Sequence, residues 1–203
     1  MNRRTAALTS VFVMLAWAAA IAQRDADRFQ LGGQVTVASS SELATTDVGF
    51  GARFSWKPTA LIGTEAELSF YPEDLGPDNA RFSRGRVEGL FGVTVGPRIG
   101  SLRPFAKLRP GFVTFREAPE PFPCILIFPP PLSCALGTGA TAFALDVGGG
   151  VEFLPAARTF FRMDVSDRMV RYPGPAFDGD GTPHEDAFYG HDFGFAAAAG
   201  VRF

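Results

Sequence analysis

The chain has 203 residues with a formal net charge of −2, and 46% of its residues are hydrophobic. Phe, with 21 residues, and Gly, with 23 residues, are both abundant. This length suits a single domain. The near-neutral charge, without any basic stripe, excludes nucleic acid as a ligand. After residue 22 no segment offers the roughly 18 apolar residues of a membrane-spanning helix, which argues against a helical membrane protein.

The first 22 residues are predicted to be a cleaved signal peptide. Arg3 and Arg4 precede an apolar run from Ala6 to Ala19, and Ala20-Ile21-Ala22 provides the small residues of a cleavage site. A membrane anchor is the alternative reading, but a polar segment follows immediately. Because no Cys lies at the site, a lipoprotein anchor is not expected. Residues 23–203 are then one mature domain.

Eight segments alternate apolar and polar residues with period two, which is the signature of half-buried strands. In the second segment Phe50, Phe54 and Trp56 alternate with Gly49 and Arg53. Pro110 in the fifth segment predicts a bulge or an irregular rim. The predicted strands are Arg28–Ala38, Asp47–Lys57, Leu61–Tyr71, Phe82–Pro97, Pro104–Phe115, Thr141–Leu154, Thr159–Tyr172 and Tyr189–Phe203.

The connections between these segments alternate in length. Those after the second, fourth and sixth strands are short, whereas those after the first, third, fifth and seventh are longer. Tight turns at one end and long loops at the other are typical of transmembrane β-barrels. The pattern therefore predicts an all-β fold, an eight-stranded antiparallel up-and-down transmembrane β-barrel with both termini on the short-turn side.

Alternation alone does not separate a membrane barrel from a soluble one, so the volume and charge of the polar face decide. An eight-stranded barrel has room only for its own side chains, and the polar face is rich in Gly and in charges of both signs. Enclosed charges must be paired. Besides Lys57, the predicted lumen ion pairs involve Arg53, Glu65, Glu67, Arg86, Glu88, Lys107, Arg109, Asp146, Glu152, Arg162, Asp164, Arg168 and Arg202.

The opposite face carries the large rings, and we predict that it contacts lipid. Phe50, Phe91, Phe143 and Phe195 should point outward if this assignment is correct. Aromatic residues near the strand ends fit interfacial girdles at the two membrane surfaces. These girdle residues are Trp56, Tyr71, Tyr172, Tyr189 and Phe203.

The last stretch, GFAAAAGVRF, places Phe195, Val201 and Phe203 on one face of a strand that ends the given sequence on an aromatic residue. It resembles the closing strand of bacterial outer-membrane barrels, and residues 28–203 are similar in pattern to the small OmpA/OmpX-type barrels. The resemblance implies location in the outer membrane of a Gram-negative-type bacterium. It also implies contact with outer-membrane lipid, and recognition of Phe203 as an insertion signal by the barrel-insertion machinery.

Two cysteines, Cys124 and Cys134, lie in the longest loop, Arg116–Gly139. Export makes an oxidising compartment the expected one, so we predict a disulfide between them. Two free thiols are the alternative, and a metal site would need further ligands. The apolar run Ile125–Phe128 either folds over the barrel rim or offers a patch to an extracellular partner.

The remaining candidates for chemistry are His184, His191 and the acidic stretch from Asp178 to Glu185. No motif ties a serine to either imidazole, and the acidic spacing is too short for an EF-hand. We therefore predict no enzyme and no cofactor. The predicted role is structural or a surface interaction, with a plugged, ion-paired lumen. A narrow channel, a lipid-modifying enzyme and a soluble periplasmic ligand-binding barrel remain alternatives.

Overall fold

The computed structural model describes residues 28–72, 85–116, 128–137 and 139–203. The predicted signal peptide, the first residues of the fourth predicted strand and Cys124 lie outside these ranges. Among the described residues, no helix has both the length and the apolar character needed to cross a membrane.

The described residues form a closed antiparallel barrel of eight strands, which confirms the predicted fold class. The strands follow one another around the barrel in chain order, and the last closes against the first. A short helix, α1 (Leu132–Leu136), and a small hairpin of β8 (Ala176–Phe177) and β9 (Pro183–His184) lie in two connections. The barrel strands are β1 (Phe29–Ser40), β2 (Thr45–Trp56), β3 (Ile62–Tyr71), β4 (Arg86–Val95), β5 (Leu102–Phe115), β6 (Ala140–Ala156), β7 (Thr159–Tyr172) and β10 (Phe188–Arg202).

Buried and exposed residues alternate along every barrel strand, because successive side chains of a strand point to opposite faces. The four diagnostic rings all point away from the barrel axis. Phe50 is 54% exposed, Phe91 62%, Phe143 50% and Phe195 41%. The apolar face is therefore the outer wall, and the charged face lines the lumen, as predicted.

The strands are staggered, so the wall is built from tilted strands. Pairing partners followed once around the barrel from Phe29 lead back to β1 at Ser39, ten residues further along the strand. The path runs Phe29, Trp56, Thr64, Val93, Leu108, Val147, Asp167, Phe193, Ser39. With a tilt of about 40°, ten residues rise by about 25 Å, which is the height of a transmembrane apolar band.

The end with the turns 57–61, 96–101 and 157–158 is called the inner end, and the opposite end the outer end. The prediction that every outer connection is longer is wrong for the first one. β1 and β2 pair as far as Ser40 and Thr45, so that only residues 41–44 connect them. The Thr46 hydroxyl donates to the Ser39 hydroxyl across this pair (3.1 Å). Polar residues that suggested a loop instead extend the ladder, since Ser and Thr pair well across strands.

The bulge expected at Pro110 is also not observed. The register between β5 and β6 is unbroken from Leu102 to Phe115. Proline lacks a donor, yet its side chain faces outward and the strand continues past it. The register shift lies instead between β6 and β7, between Phe153 and Ala156, next to the tight inner turn.

Two of the five predicted girdle aromatics are placed differently. Tyr71 is 2% exposed and Tyr172 is fully buried, so both point into the lumen. Tyr172 hydrogen-bonds Asp192 (3.4 Å), while Trp56 and Phe203 face outward as expected. A buried tyrosine fits a charged lumen because its hydroxyl has polar partners there.

Candidate functional site: the ion-paired lumen

A dense group of charged side chains fills the middle of the lumen. It is contributed by β2, β3, β5, β6 and β7, whose inward positions meet on the barrel axis because the barrel is narrow. This central cluster consists of Arg53, Glu65, Glu67, Lys107, Arg109, Asp146, Arg162 and Asp164.

Arg109 binds three carboxylates at once. Its Nη2 donates to Asp146 Oδ2 (2.7 Å), and its Nη1 donates to Glu65 Oε1 (2.9 Å) and Glu67 Oε2 (2.5 Å). The three acids come from β3 and β6, so the guanidinium joins strands that lie on either side of β5 in the wall. The planar fork of arginine suits this role, since it offers several donors in a fixed geometry.

Asp164 is the matching acidic centre. Arg53 Nη1 and Arg162 Nε each donate to Asp164 Oδ2 at 2.9 Å. Lys107 Nζ bonds the other carboxylate oxygen, Oδ1. Through Arg162 Nη1, which donates to Glu65 (2.6 Å), the two centres form one network.

A smaller group of buried ions lies toward the inner end of the lumen. Lys57 Nζ donates to Glu152 Oε1 (2.6 Å), and Gln30 Nε2 donates to the same oxygen (3.0 Å). Arg103 Nη1 lies 4.0 Å from Glu152 Oε2. Arg202 is also buried on the inward face here, at the predicted position.

A third group lies toward the outer end. Arg86 Nη1 donates to Asp192 Oδ2 (2.9 Å), and Arg168 Nη1 donates to Glu88 Oε1 (2.6 Å). The Tyr71 hydroxyl donates to Glu88 Oε2 (3.0 Å). The Nη2 atom of Arg168 lies 3.6 Å from Asp146 Oδ1, which links this group to the central cluster.

The buried charges of the described lumen nearly balance. Desolvating an unpaired ion costs several kcal/mol, so near-balance is what a closed lumen requires. The buried cations are Arg53, Lys57, Arg86, Arg103, Lys107, Arg109, Arg162, Arg168 and Arg202. The buried anions are Asp47, Glu65, Glu67, Glu88, Asp146, Glu152, Asp164 and Asp192.

The predicted lumen ion pairs did not include Asp47, Arg103 or Asp192, although Asp192 was expected on the polar face of the closing strand. Each lies an even number of residues from an assigned ion on its own strand, as Arg103 does from Lys107. Strict extension of the period-two pattern to the strand ends would have found them. Only Arg103 lay outside its predicted strand, Pro104–Phe115, whereas Asp47 and Asp192 stood at or near the ends of theirs.

Apolar side chains fill the lumen above the outer ion group. Leu132 and Leu136 of α1 pack in the barrel mouth against Val113, Val170 and Tyr172. Cys134 is buried on the same helix. This part of the long loop therefore folds inward, while Phe128 in the same loop is 83% exposed. The predicted disulfide stays a prediction.

A small crevice beside α1 opens at the outer end and has a cavity volume of about 40 Å³. Leu43, Phe115 and Leu136 form its apolar side, and Asp47 and Arg86 lie in its wall. The two charged residues already contact each other at 3.6 Å, so the crevice ends on the outer ion group.

The two imidazoles contact acids on the outer surface. His184 Nε2 lies 3.0 Å from Asp178 Oδ2, and its ring stacks on Phe188 at 3.8 Å. The Oδ1 atom of Asp178 accepts the backbone N–H of Asp180 (3.0 Å) and Thr182 (2.8 Å). The hydrogen bond from His184 lowers the pKa of Asp178. Asp178 thus stabilises a turn, and within the described ranges no group of His, Cys, Asp and Glu could hold a metal ion.

No family model matches the sequence, and no curated protein matches it. Among solved structures, the chain is similar to Neisserial surface protein A, with a TM-score of 0.54 and 12% identity over 89% of this chain and 100% of that one. It is also similar to outer membrane protein W of E. coli, with a TM-score of 0.50 and 14% identity over 89% and 100% of the two chains. At such identities the likeness concerns the fold.

The outer wall supports the same conclusion independently. A band of exposed Phe, Val, Leu and Ile surrounds a lumen of paired ions, which reverses the arrangement of a soluble barrel. The chain has the fold of the small eight-stranded outer-membrane β-barrels.

Proposed function

We propose that this protein is a closed barrel of the outer membrane of a Gram-negative-type bacterium, where it anchors loops at the cell surface rather than conducting solutes. The observation that carries the proposal is the lumen itself. Side chains from opposite walls meet, as Arg53 of β2 does with Asp164 of β7 at 2.9 Å. Moving a solute through would require breaking several buried ion pairs together.

The apolar mouth supports the same role. Leu132 and Leu136 fill the mouth beside the crevice and narrow the outer approach to the ions, which adds a second barrier. Two barriers of different chemistry argue against a narrow channel, which is the alternative. In the described ranges the imidazoles pair with Asp178 and Asp167 and hydrogen-bond no serine or threonine hydroxyl that could act as a nucleophile, so their contacts do not support a lipid-modifying enzyme.

The proposed partners follow from the exposed surfaces. Outer-membrane lipid contacts the apolar wall, and the barrel-insertion machinery reads Phe203. An extracellular partner would bind the loop between Cys124 and Cys134, where Phe128 is exposed. The buried residues around Leu132 would hold the exposed Phe128 in place.

Planar-bilayer conductance tests the closed lumen. We expect the refolded protein to give no steady conductance steps, whereas a variant that weakens both barriers, Leu132→Ser/Leu136→Ser combined with Arg53→Ser/Asp164→Ser, should show brief openings. Phe128→Ser is the matched control, because it changes an exposed residue of the same loop. Steady porin-like steps from the unmodified protein would refute the proposal.

A further inference from the structure

The outer wall carries one charged patch. Outward positions of the described barrel strands are uncharged except at the outer ends of β7 and β10. There Asp167 and Arg171 of β7 lie beside Tyr189 and His191 of β10, and these four residues are called the wall cluster. Since charges on a lipid-facing wall cost free energy, such a concentration calls for a function.

The wall cluster has a defined internal geometry. His191 Nδ1 lies 2.9 Å from Asp167 Oδ2, and their side chains are 58% and 53% exposed. Arg171 pairs directly with Tyr189 in the ladder, two residues nearer the outer end. Asp167 occupies one nitrogen of the imidazole, so Nε2, on the opposite edge of the ring, is the nitrogen available to another partner.

The stagger of the barrel places this cluster across the outer edge of the apolar band, next to the level of the headgroups. On the path that rises about 25 Å from Phe29 to Ser39, Asp167 comes roughly three quarters of the way up. His191 and Arg171 lie further along their strands toward the outer end. Phe193 pairs with Asp167 and comes one step further up the same path, so Asp167 still lies within the apolar band, whereas His191 and Arg171 lie beyond Phe193.

We propose that the wall cluster binds a phosphate of a phosphorylated glycolipid headgroup in the outer leaflet. The guanidinium of Arg171, the imidazole of His191 and the hydroxyl of Tyr189 are all donors suited to phosphate oxygens. Asp167 acts as a positioning residue. Its carboxylate orients the ring by accepting from Nδ1, and a phosphate that accepts from Nε2 then requires a proton on both ring nitrogens. The proposal rests on the outer end facing the cell exterior.

The test uses the full folded protein in detergent, with bis-phosphorylated lipid A as the probe and native mass spectrometry as the readout. Arg171→Gln/His191→Gln should retain lipid A roughly tenfold less well than the unmodified protein. Arg98→Gln/Arg158→Gln removes two exposed arginines of the inner turns and should retain it fully. Heat-modifiable gel migration verifies that every variant is folded.

Further experiments test whether the phosphate groups are what the wall cluster recognises. Dephosphorylated lipid A and inorganic phosphate should not be retained. Asp167→Asn should weaken retention, and Asp167→Glu should restore it, which a purely structural role would not require. Equal retention by Arg171→Gln/His191→Gln overturns the proposal. Equal retention of dephosphorylated lipid A also overturns it. A lipid-free dimer that Arg171→Gln/His191→Gln dissociates would overturn it as well, because the wall cluster would then bind a second copy of the chain.

Discussion

Phe29 and Phe203 close the barrel at its inner end. Each donates its backbone N–H to the carbonyl of the other at 2.9 Å, and their rings stack with centroids 6.0 Å apart. The first and last residues of the described wall are thereby joined by backbone and side chain together. Both rings lie on the lipid-facing surface, next to Phe54.

Loss of either ring should weaken this closure. We expect Phe29→Ala and Phe203→Ala each to lower the free energy of unfolding, with a coupling of about 0.5–1.5 kcal/mol in a double-mutant cycle. Urea unfolding in lipid vesicles measures it. If Phe203 is also the insertion signal, Phe203→Ala should reduce the amount of protein in the outer membrane more than Phe29→Ala does. Equal amounts in cells would contradict that role.

Arg109 should be the most sensitive position of the lumen. Arg109→Met leaves Glu65, Glu67 and Asp146 without their shared cation, and breaking a buried pair in this way costs about 3–5 kcal/mol. Urea unfolding in vesicles measures the loss.

The matched control is Arg98→Met, because that arginine lies exposed in an inner turn. It should change stability by less than about 0.5 kcal/mol. An unchanged stability of Arg109→Met would mean that water solvates the central cluster.

The turn at Asp178 should depend on pH. The hydrogen bond from His184 lowers the pKa of Asp178. The ionised carboxylate therefore stabilises the turn at every pH above the ordinary pKa of an aspartate, and this stabilisation is lost as the pH falls through the lowered pKa. Hydrogen exchange of the Asp180 and Thr182 amides, corrected for intrinsic rates, should therefore be faster near pH ~2 than near pH ~6. In Asp178→Asn the difference should vanish. A pH difference that persists in this variant would contradict the assignment.

The outer wall could be predicted residue by residue because its rule is local. Alternation with period two placed Phe50, Phe91 and Phe195 on the correct face without knowledge of the neighbouring strands. The same rule placed Arg53 and Glu67 in the lumen. It failed at strand ends, where Ser39 and Thr46 looked like loop residues although they pair across β1 and β2.

Sequence by itself determined the strand count, the lipid-facing side and the sign of the lumen charges, because each depends on residues close together in the chain. Only the tertiary structure decided which ions meet. Arg53 reaches Asp164 because the stagger of a narrow barrel brings inward positions of distant strands to one level. The same geometry turned Tyr172 toward Asp192 and let α1 fill the mouth, and no local pattern encodes the distance across a lumen.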